Sequence, residues 1–433
     1  MKIWKKIKSE LVKVLFLTFL VNFIKIGINL VTTKVIAVLI GPNGVAVIGQ
    51  FTNFISTITT SSTGGVTNGV VRYTSEFKDD KKLYIQYLNA AFTITIVFST
   101  LTMIVLLLFA KPISRALFGN LTYLSIIYIT ALTLFLFSLN SYLLAIINGK
   151  KLYDRYIFIN LISSVAGFIF TMVLVYLFKI YGALLALATY QSVVIIITLY
   201  VVRKNKLLSF ADLGFNFDKN NWLKLFAYSL MAIVGLIWPL INISIRTTMI
   251  SQLSFESAGI WEGMTRISGL ITAIVGAAIS TYFLPRFSEI TENKELKKEV
   301  YSGLKIILSA TLVLAFLMYV FRQQIVMILY TDQFMSMTEL FVIQLTGDVL
   351  WVGKMVLSVV LIAKAMMKKY VILEIVFGLV YLVVAVVLLH MGTGTISAPI
   401  AHLTYNLLYF IVIIFVFKKI VGSKNLVVES LKE

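Results

Sequence analysis

Apolar runs long enough to cross a bilayer follow one another along almost the whole chain, broken by short polar stretches rich in lysine. A helix needs about 20 apolar residues to span the hydrocarbon core. By that length the pattern predicts twelve spans, at 13–40, 44–71, 86–109, 121–147, 156–178, 181–202, 222–250, 258–285, 302–321, 338–363, 370–390 and 395–417. The second and eighth are the least apolar. The second contains TTSSTGGVTNG (59–69), whose small and hydroxyl side chains suit a helix facing protein or water. The eighth, AGIWEGMTRISGLITAIVGAAISTYFLP, carries Glu262 and Arg266 and no other charge. The short alternating segments of a membrane-spanning barrel are absent.

Composition agrees with the pattern. Of 433 residues, 59% are hydrophobic and 13% charged, and the mean hydropathy is +0.95, outside the range of soluble domains. These values predict an all-α integral membrane protein of about twelve helices with no extramembrane region large enough for a catalytic domain. Cysteine is absent and only His390 and His402 are present, so no metal site is expected. The net charge of +19 reports topology rather than nucleic-acid binding. Of 38 Lys and Arg, 29 fall at the ends of the chain or in the even-numbered connections, such as KDDKK (78–82) and NGKKLYDR (148–155). The odd-numbered connections hold only Lys111, Arg115, Lys179 and Arg322. The positive-inside rule therefore puts both termini in the cytoplasm. The basic start, MKIWKKIKSELVKVLF, leads into an apolar run with no small-residue cleavage site, so a retained first helix with an amphipathic beginning on the inner leaflet is expected.

Sliding the chain against itself reveals a recurrent offset of 214. It sets Arg72 of VVRYTSE against Arg286 of LPRFSE, Tyr156 against Tyr370, and GVAVIGQF (44–51) against AGIWEGM (258–264). AKPISRALFGN (110–120) comes within a residue or two of FRQQIVMILYTD (321–332). Matches in order at one offset predict two homologous six-helix bundles, 1–206 and 207–433. Six is even, so the bundles enter the membrane from the same side, a parallel-repeat plan that in transporters accompanies alternating access to a midplane site.

Charges inside spans are costly and mark function. Five bases, Lys25, Lys34, Arg246, Arg266 and Lys354, stand against two acids, Glu262 and Asp348. Glu262 and Arg266 are i and i+4, close enough to pair. Lys34 is about two turns from its span's outer end and within snorkelling reach, whereas Lys25 lies near mid-membrane. Asp348 and Lys354 project about 120° apart on one helix, toward different neighbours. The excess of bases favours an anionic substrate, because arginine grips phosphate through a planar fork. Lys25, Arg246, Glu262, Arg266 and Lys354 are the candidate substrate contacts, and Asp348 is a candidate proton or cation carrier. Lys34, Arg72, Arg286 and Lys364 are candidates for gating or cytoplasmic-face contacts. His402 is read as an interhelical hydrogen bonder.

The stretches KVIAVLIGPNGVAVIGQF (34–51), NGVVRYTSE (68–76), GIWEGMTRIS (259–268), YFLPRFSE (282–289) and LTGDVLWVGK (345–354) through LIAKA (361–365) make the chain resemble the O-antigen and polysaccharide lipid flippases, nearest their lipid III branch. The resemblance runs in order over nearly the whole length. It implies a fold like that of the multidrug and oligosaccharidyl-lipid exporters (MATE-like) in a bacterial inner membrane. It further implies transfer of an undecaprenyl-pyrophosphate-linked glycan from the cytoplasmic to the periplasmic leaflet, by alternating access through a cationic cavity. Arg246 and Arg266 would meet pyrophosphate or sugar, with Asp348 and Lys354 on the cavity wall. Other surface-polysaccharide assembly proteins are possible partners, and nucleic acid is not one. No acid occurs between Glu10 and Glu76, so the first-helix acid of the cation-coupled drug exporters is missing and that reading ranks below the flippase. A peptidoglycan-precursor flippase is a further alternative. No nucleotide-binding loop of the GxxxxGK[ST] form exists, so no cofactor is expected and a proton or sodium gradient is the candidate driving force. Nor does the chain carry features of a polymerase or glycosyltransferase, and it is not expected to be an enzyme.

Overall fold

The computed structural model describes residues 2–205, 207–208 and 213–422, with side chains from Leu20 onward except Asn22, Ala227, Tyr228, Leu230, Met231, Ile233, Ser280 and Thr281. The amphipathic start expected at the inner leaflet is helical from Lys2, but its side chains lie outside the described ones, as does the chain after 422.

Helix α1 (Lys2–Ser62) takes in both of the first two expected spans and is broken at Gly41, whose φ of 69° only glycine adopts without strain, with Pro42 starting the second piece. The second span stops at Ser62, earlier than the expected 71. Its hydroxyls are satisfied within the helix, Thr57, Thr60 and Ser61 donating to carbonyls one turn back. Gly64 and Gly65 then take left-handed backbone and turn the chain into α2 (Thr67–Glu76). Asp80 caps α3 (Lys81–Leu108) by accepting from the Lys82 and Leu83 N–H groups. The short amphipathic α4 (Ala110–Phe118) ends on left-handed Gly119, and α5 (Leu124–Gly149) follows. Next, α6 (Tyr153–Lys204) is interrupted at Lys179, where φ is 51°, and so supplies the fifth and sixth spans. Helix α7 is Lys219–Gln252.

The eighth span is α8 (Phe255–Ala278), capped by Ser254, then a π-turn and α9 (Leu284–Glu289). The remaining helices are α10 (Asn293–Val320), α11 (Arg322–Leu329), α12 (Phe341–Ala363), α13 (Met367–His390) and α14 (Ser397–Gly422). Among the described residues, nine helices are long and apolar enough to cross a membrane. With α1 and α6 each broken in two and α8 added, these supply the twelve expected crossings.

The chain divides into two compact units, one of residues 1–40 and 47–240, the other of 41–46 and 241–433. The boundary expected between 206 and 207 falls where 206 and 209–212 lie outside the described residues. Lys151 and Ala365, 214 positions apart, are both left-handed, at φ 59° and 58°. The core of the first unit gathers Tyr87, Ile94, Tyr142, Ile146 and Val202. The second unit buries Trp261, Phe287, Phe341, Tyr405 and Tyr409 completely. Tyr176, Ile196, Phe316 and Phe415 point outward and exposed, as expected of side chains that meet lipid.

Residues 41–46 belong to the second unit because the backbone there lies directly against α8. A Cβ built on Gly259 would sit 1.9 Å from the Pro42 carbonyl oxygen. Small residues permit such backbone approach in membranes. Gly259→Ala is therefore expected to lower the thermal midpoint of the detergent-purified protein, at a cost of about 1–3 kcal/mol, since backbone on both sides must move. An unchanged midpoint would mean that the helices do not approach this closely.

Candidate functional site

Helices α7 and α8 bring together the charges that the sequence singled out. Glu262 accepts from Arg246 Nη2 through one carboxylate oxygen and from Arg266 Nε through the other, at 2.9 Å. One acid thus holds two guanidiniums and leaves the cluster one positive charge in excess. The bases differ in access. Arg246 is 1% exposed and Arg266 25% exposed. The Arg246 guanidinium also lies over the Trp261 ring, 5.3 Å from its centroid, so that aromatic and acid together fix it. Because Arg266 uses Nε for the carboxylate, its two terminal NH2 groups remain as the fork that suits a phosphate. The Tyr330 hydroxyl bonds the Gly263 carbonyl at 3.0 Å and ties α8 to the residues after α11.

A second cluster is built on Asp348 of α12, which is completely buried. Its Oδ1 accepts from Ser268 Oγ at 2.6 Å, lies 3.0 Å from His402 Nε2, and is 3.4 Å from the Gln344 amide. Gly347 makes room for the imidazole: a Cβ there would lie 2.5 Å from His402 Cδ2. Three buried acceptors, Asp348 Oδ2, Gln344 Oε1 and Asn406 Oδ1, have no hydrogen-bond partner among the described residues. An acid, an imidazole and several unpartnered acceptors together form a set able to exchange a proton or bind a small cation.

Lys354 has a separate environment, as its angular separation from Asp348 predicts. It donates to the Tyr405 hydroxyl and lies 4.4 and 4.3 Å from the ring centroids of Tyr405 and Tyr409. Its ammonium is 3.9 Å from Glu374 Oε1 on α13, which also accepts from the Tyr409 hydroxyl at 3.1 Å. Lys354 and Glu374 are 1% and 3% exposed. The sequence-based tally of two embedded acids is therefore short by one. Glu374 lies in the apolar run YVILEIVFG, but its closeness to Lys368 and Lys369 makes it look like part of the polar end. With Glu374 included, Lys354 is balanced, and among the embedded bases of the second unit the surplus positive charge lies in the arginine cluster.

Lys25, Lys34 and Arg72 belong to the first unit, and Arg286 and Lys364 to the second. Lys25 donates to Asn160 Oδ1 at 3.5 Å, and Lys34 is half-buried on α1. Arg72 pairs with Glu76 at 3.2 Å on the surface. Arg286 pairs with Glu295 at 2.9 Å. Lys364 donates to the Ile290 carbonyl. Of the residues that sequence reasoning missed, Gln344 has a visible signal, standing one turn before Asp348. Ser268, Tyr405 and Tyr409 have none, because their partners are on other helices. Among the described residues, no group of three or more His, Asp or Glu could hold a metal ion.

This fold has counterparts among solved membrane proteins. Among solved structures the chain is similar to an inward-facing multidrug resistance MATE family transporter of the MOP superfamily, with a TM-score of 0.76 over 92% of this chain and 95% of that one at 14% identity. It is also similar to a MOP superfamily transporter from Pyrococcus furiosus, with a TM-score of 0.62 at 15% identity and 95% of each chain covered. The model of the polysaccharide biosynthesis protein family matches residues 35–339, and the chain belongs to that family. Proteins named lipid III flippase from Escherichia coli K12 and Shigella flexneri are each 29% identical over 90% of this chain and 94% of their own. The protein is thus a multi-pass membrane protein of the polysaccharide biosynthesis family with a MATE-like fold.

Proposed function

We propose that the chain moves an undecaprenyl-pyrophosphate-linked oligosaccharide from the cytoplasmic to the periplasmic leaflet by alternating access, with Arg266 meeting the pyrophosphate. The observation that carries this reading is the shared carboxylate. Glu262 holds Arg246 and Arg266 side by side, so a surplus positive charge is kept in an apolar surrounding, where an anion is bound more strongly than in water. Arg246 is too buried to reach a ligand and acts by positioning Glu262. The names of the two flippase relatives support the class of substrate, and the lack of any acid between Glu10 and Glu76 weighs against a first-helix cation site. Lys354, enclosed by two tyrosines and Glu374, is part of the scaffold in this reading. Asp348 with His402 is the proposed carrier of a proton or sodium ion.

The test is leaflet-to-leaflet movement of an undecaprenyl-pyrophosphate-linked oligosaccharide in proteoliposomes, with and without imposed proton and sodium gradients. Arg266→Ala is expected to slow movement by about tenfold or more, the scale of one charge-assisted hydrogen bond. Asp348→Asn is expected to keep movement without a gradient and lose the acceleration by one. No glycan movement, together with transport of a cationic drug, would overturn the reading in favour of an exporter. Equal movement of a peptidoglycan precursor would widen the substrate class to carrier pyrophosphates in general.

A further inference from the structure

The first unit contains a basic pocket that the transport reading does not use. Its cavity of about 340 Å³ lies where α2, α5 and α6 end or begin, and it is lined by Thr74, Lys78, Tyr84, Lys150 and Lys151. Among the described residues no carboxylate lines it. Asp79, 3.7 Å from Lys78, stands on the exposed side. Two hydroxyls in the lining, Thr74 Oγ1 and Tyr84 OH, are buried with no hydrogen-bond partner among the described residues. Thr74 is 1% exposed. Lys150 is drawn inward, over the Tyr84 ring at 5.2 Å, and its ammonium donates to the Leu207 carbonyl. Burial lowers its pKa from the ordinary lysine value, so a nearby anion would favour its charged form.

We propose that this pocket binds a phosphate group, carried on an anionic lipid headgroup or free in solution. The lysines are those of KDDKK and NGKKLYDR, the connections that positive-inside counting assigns to the cytoplasm, where inner-leaflet phosphates are within reach. A topological role alone needs basic residues somewhere in the loop. It does not require one sunk against a tyrosine face, or a cavity whose buried hydroxyls lack partners. Nor does the backbone require lysine. Ala365, 214 residues on, has the same left-handed conformation as Lys151 without a charge, and Lys364 beside it donates to the Ile290 carbonyl. Two hydroxyl donors without acceptors and three ammoniums without a carboxylate in the lining match the several oxygens of a phosphate.

Residue-resolved lysine protection tests this in the full-length protein. The detergent-purified chain is acetylated briefly with sulfo-NHS-acetate, alone, with millimolar inorganic phosphate, or in nanodiscs of phosphatidylglycerol against phosphatidylcholine, and modification is read by peptide mass spectrometry. Lys150 and Lys151 should be protected at least about threefold by one phosphate source, with Lys204 and Lys111 unchanged. Tyr84→Phe should reduce that protection without changing the thermal midpoint. Protection by phosphate in detergent identifies a free-anion site, and protection only by phosphatidylglycerol identifies a headgroup site. Both support the proposal. No protection by either source, or equal protection of all loop lysines, would overturn it in favour of general surface attraction.

Discussion

Glu262→Gln is expected to destabilise the protein by about 3–5 kcal/mol, the cost of removing one partner from a buried ion pair, and to abolish transport. The amide keeps the shape of the carboxylate and can still accept a hydrogen bond, so the loss isolates charge. Two guanidiniums then face each other across a neutral group, and Arg246, 1% exposed, has no route to water. The thermal midpoint of the purified protein should fall sharply, and an anion such as pyrophosphate should restore part of it by meeting Arg266 and offsetting the unbalanced charge. Double substitution separates stability from function. Arg246→Met with Glu262→Gln removes the pair together, which is often neutral in a buried setting. It should regain most of the midpoint but not transport, since Arg266 loses the group that orients it. A single Glu262→Gln variant as stable and as active as the parent would exclude the shared-carboxylate site.

Much of this is legible along the chain because the relevant signals are local. The bilayer fixes span length, so apolar runs alone yield the twelve crossings, and helical spacing alone pairs Glu262 with Arg266. What stays hidden is every approach made across helices. Nothing adjacent to Arg246 in INISIRTTM indicates that its partner is Glu262, 16 residues on and beyond a turn. Asp348 and His402 both stand out as polar groups in apolar runs, but their 3.0 Å approach depends on Gly347 leaving space, a packing fact. Boundaries fail where polar residues satisfy themselves. Thr57, Thr60 and Ser61 return their hydroxyls to their own helix, so the second span looks continuous in composition up to the point where Gly64 and Gly65 turn it. The overestimate of positive charge has a similar cause, since the sequence neighbours of Glu374 suggest a polar end although its partner, Lys354, is on α12.

That pair gives the other large effect. Lys354→Met is expected to cost about 3–5 kcal/mol, because Glu374, 3% exposed, would keep a buried charge after losing its ammonium, with the Tyr409 hydroxyl a weak substitute. Methionine fills nearly the same volume and still packs on the Tyr405 and Tyr409 rings, so packing loss does not confuse the result. Adding Glu374→Gln should recover most of the stability, and the coupling between the two sites, read from the double-mutant cycle, should be large and favourable. Transport provides the deciding measurement. If Lys354 and Glu374 only hold α12, α13 and α14 together, the double variant should move lipid-linked oligosaccharide at close to the parental rate, unlike the Arg246 and Glu262 double variant. A stable double variant that is inactive would instead place Lys354 among the groups that meet the substrate and move the anionic site from the arginine cluster toward α12.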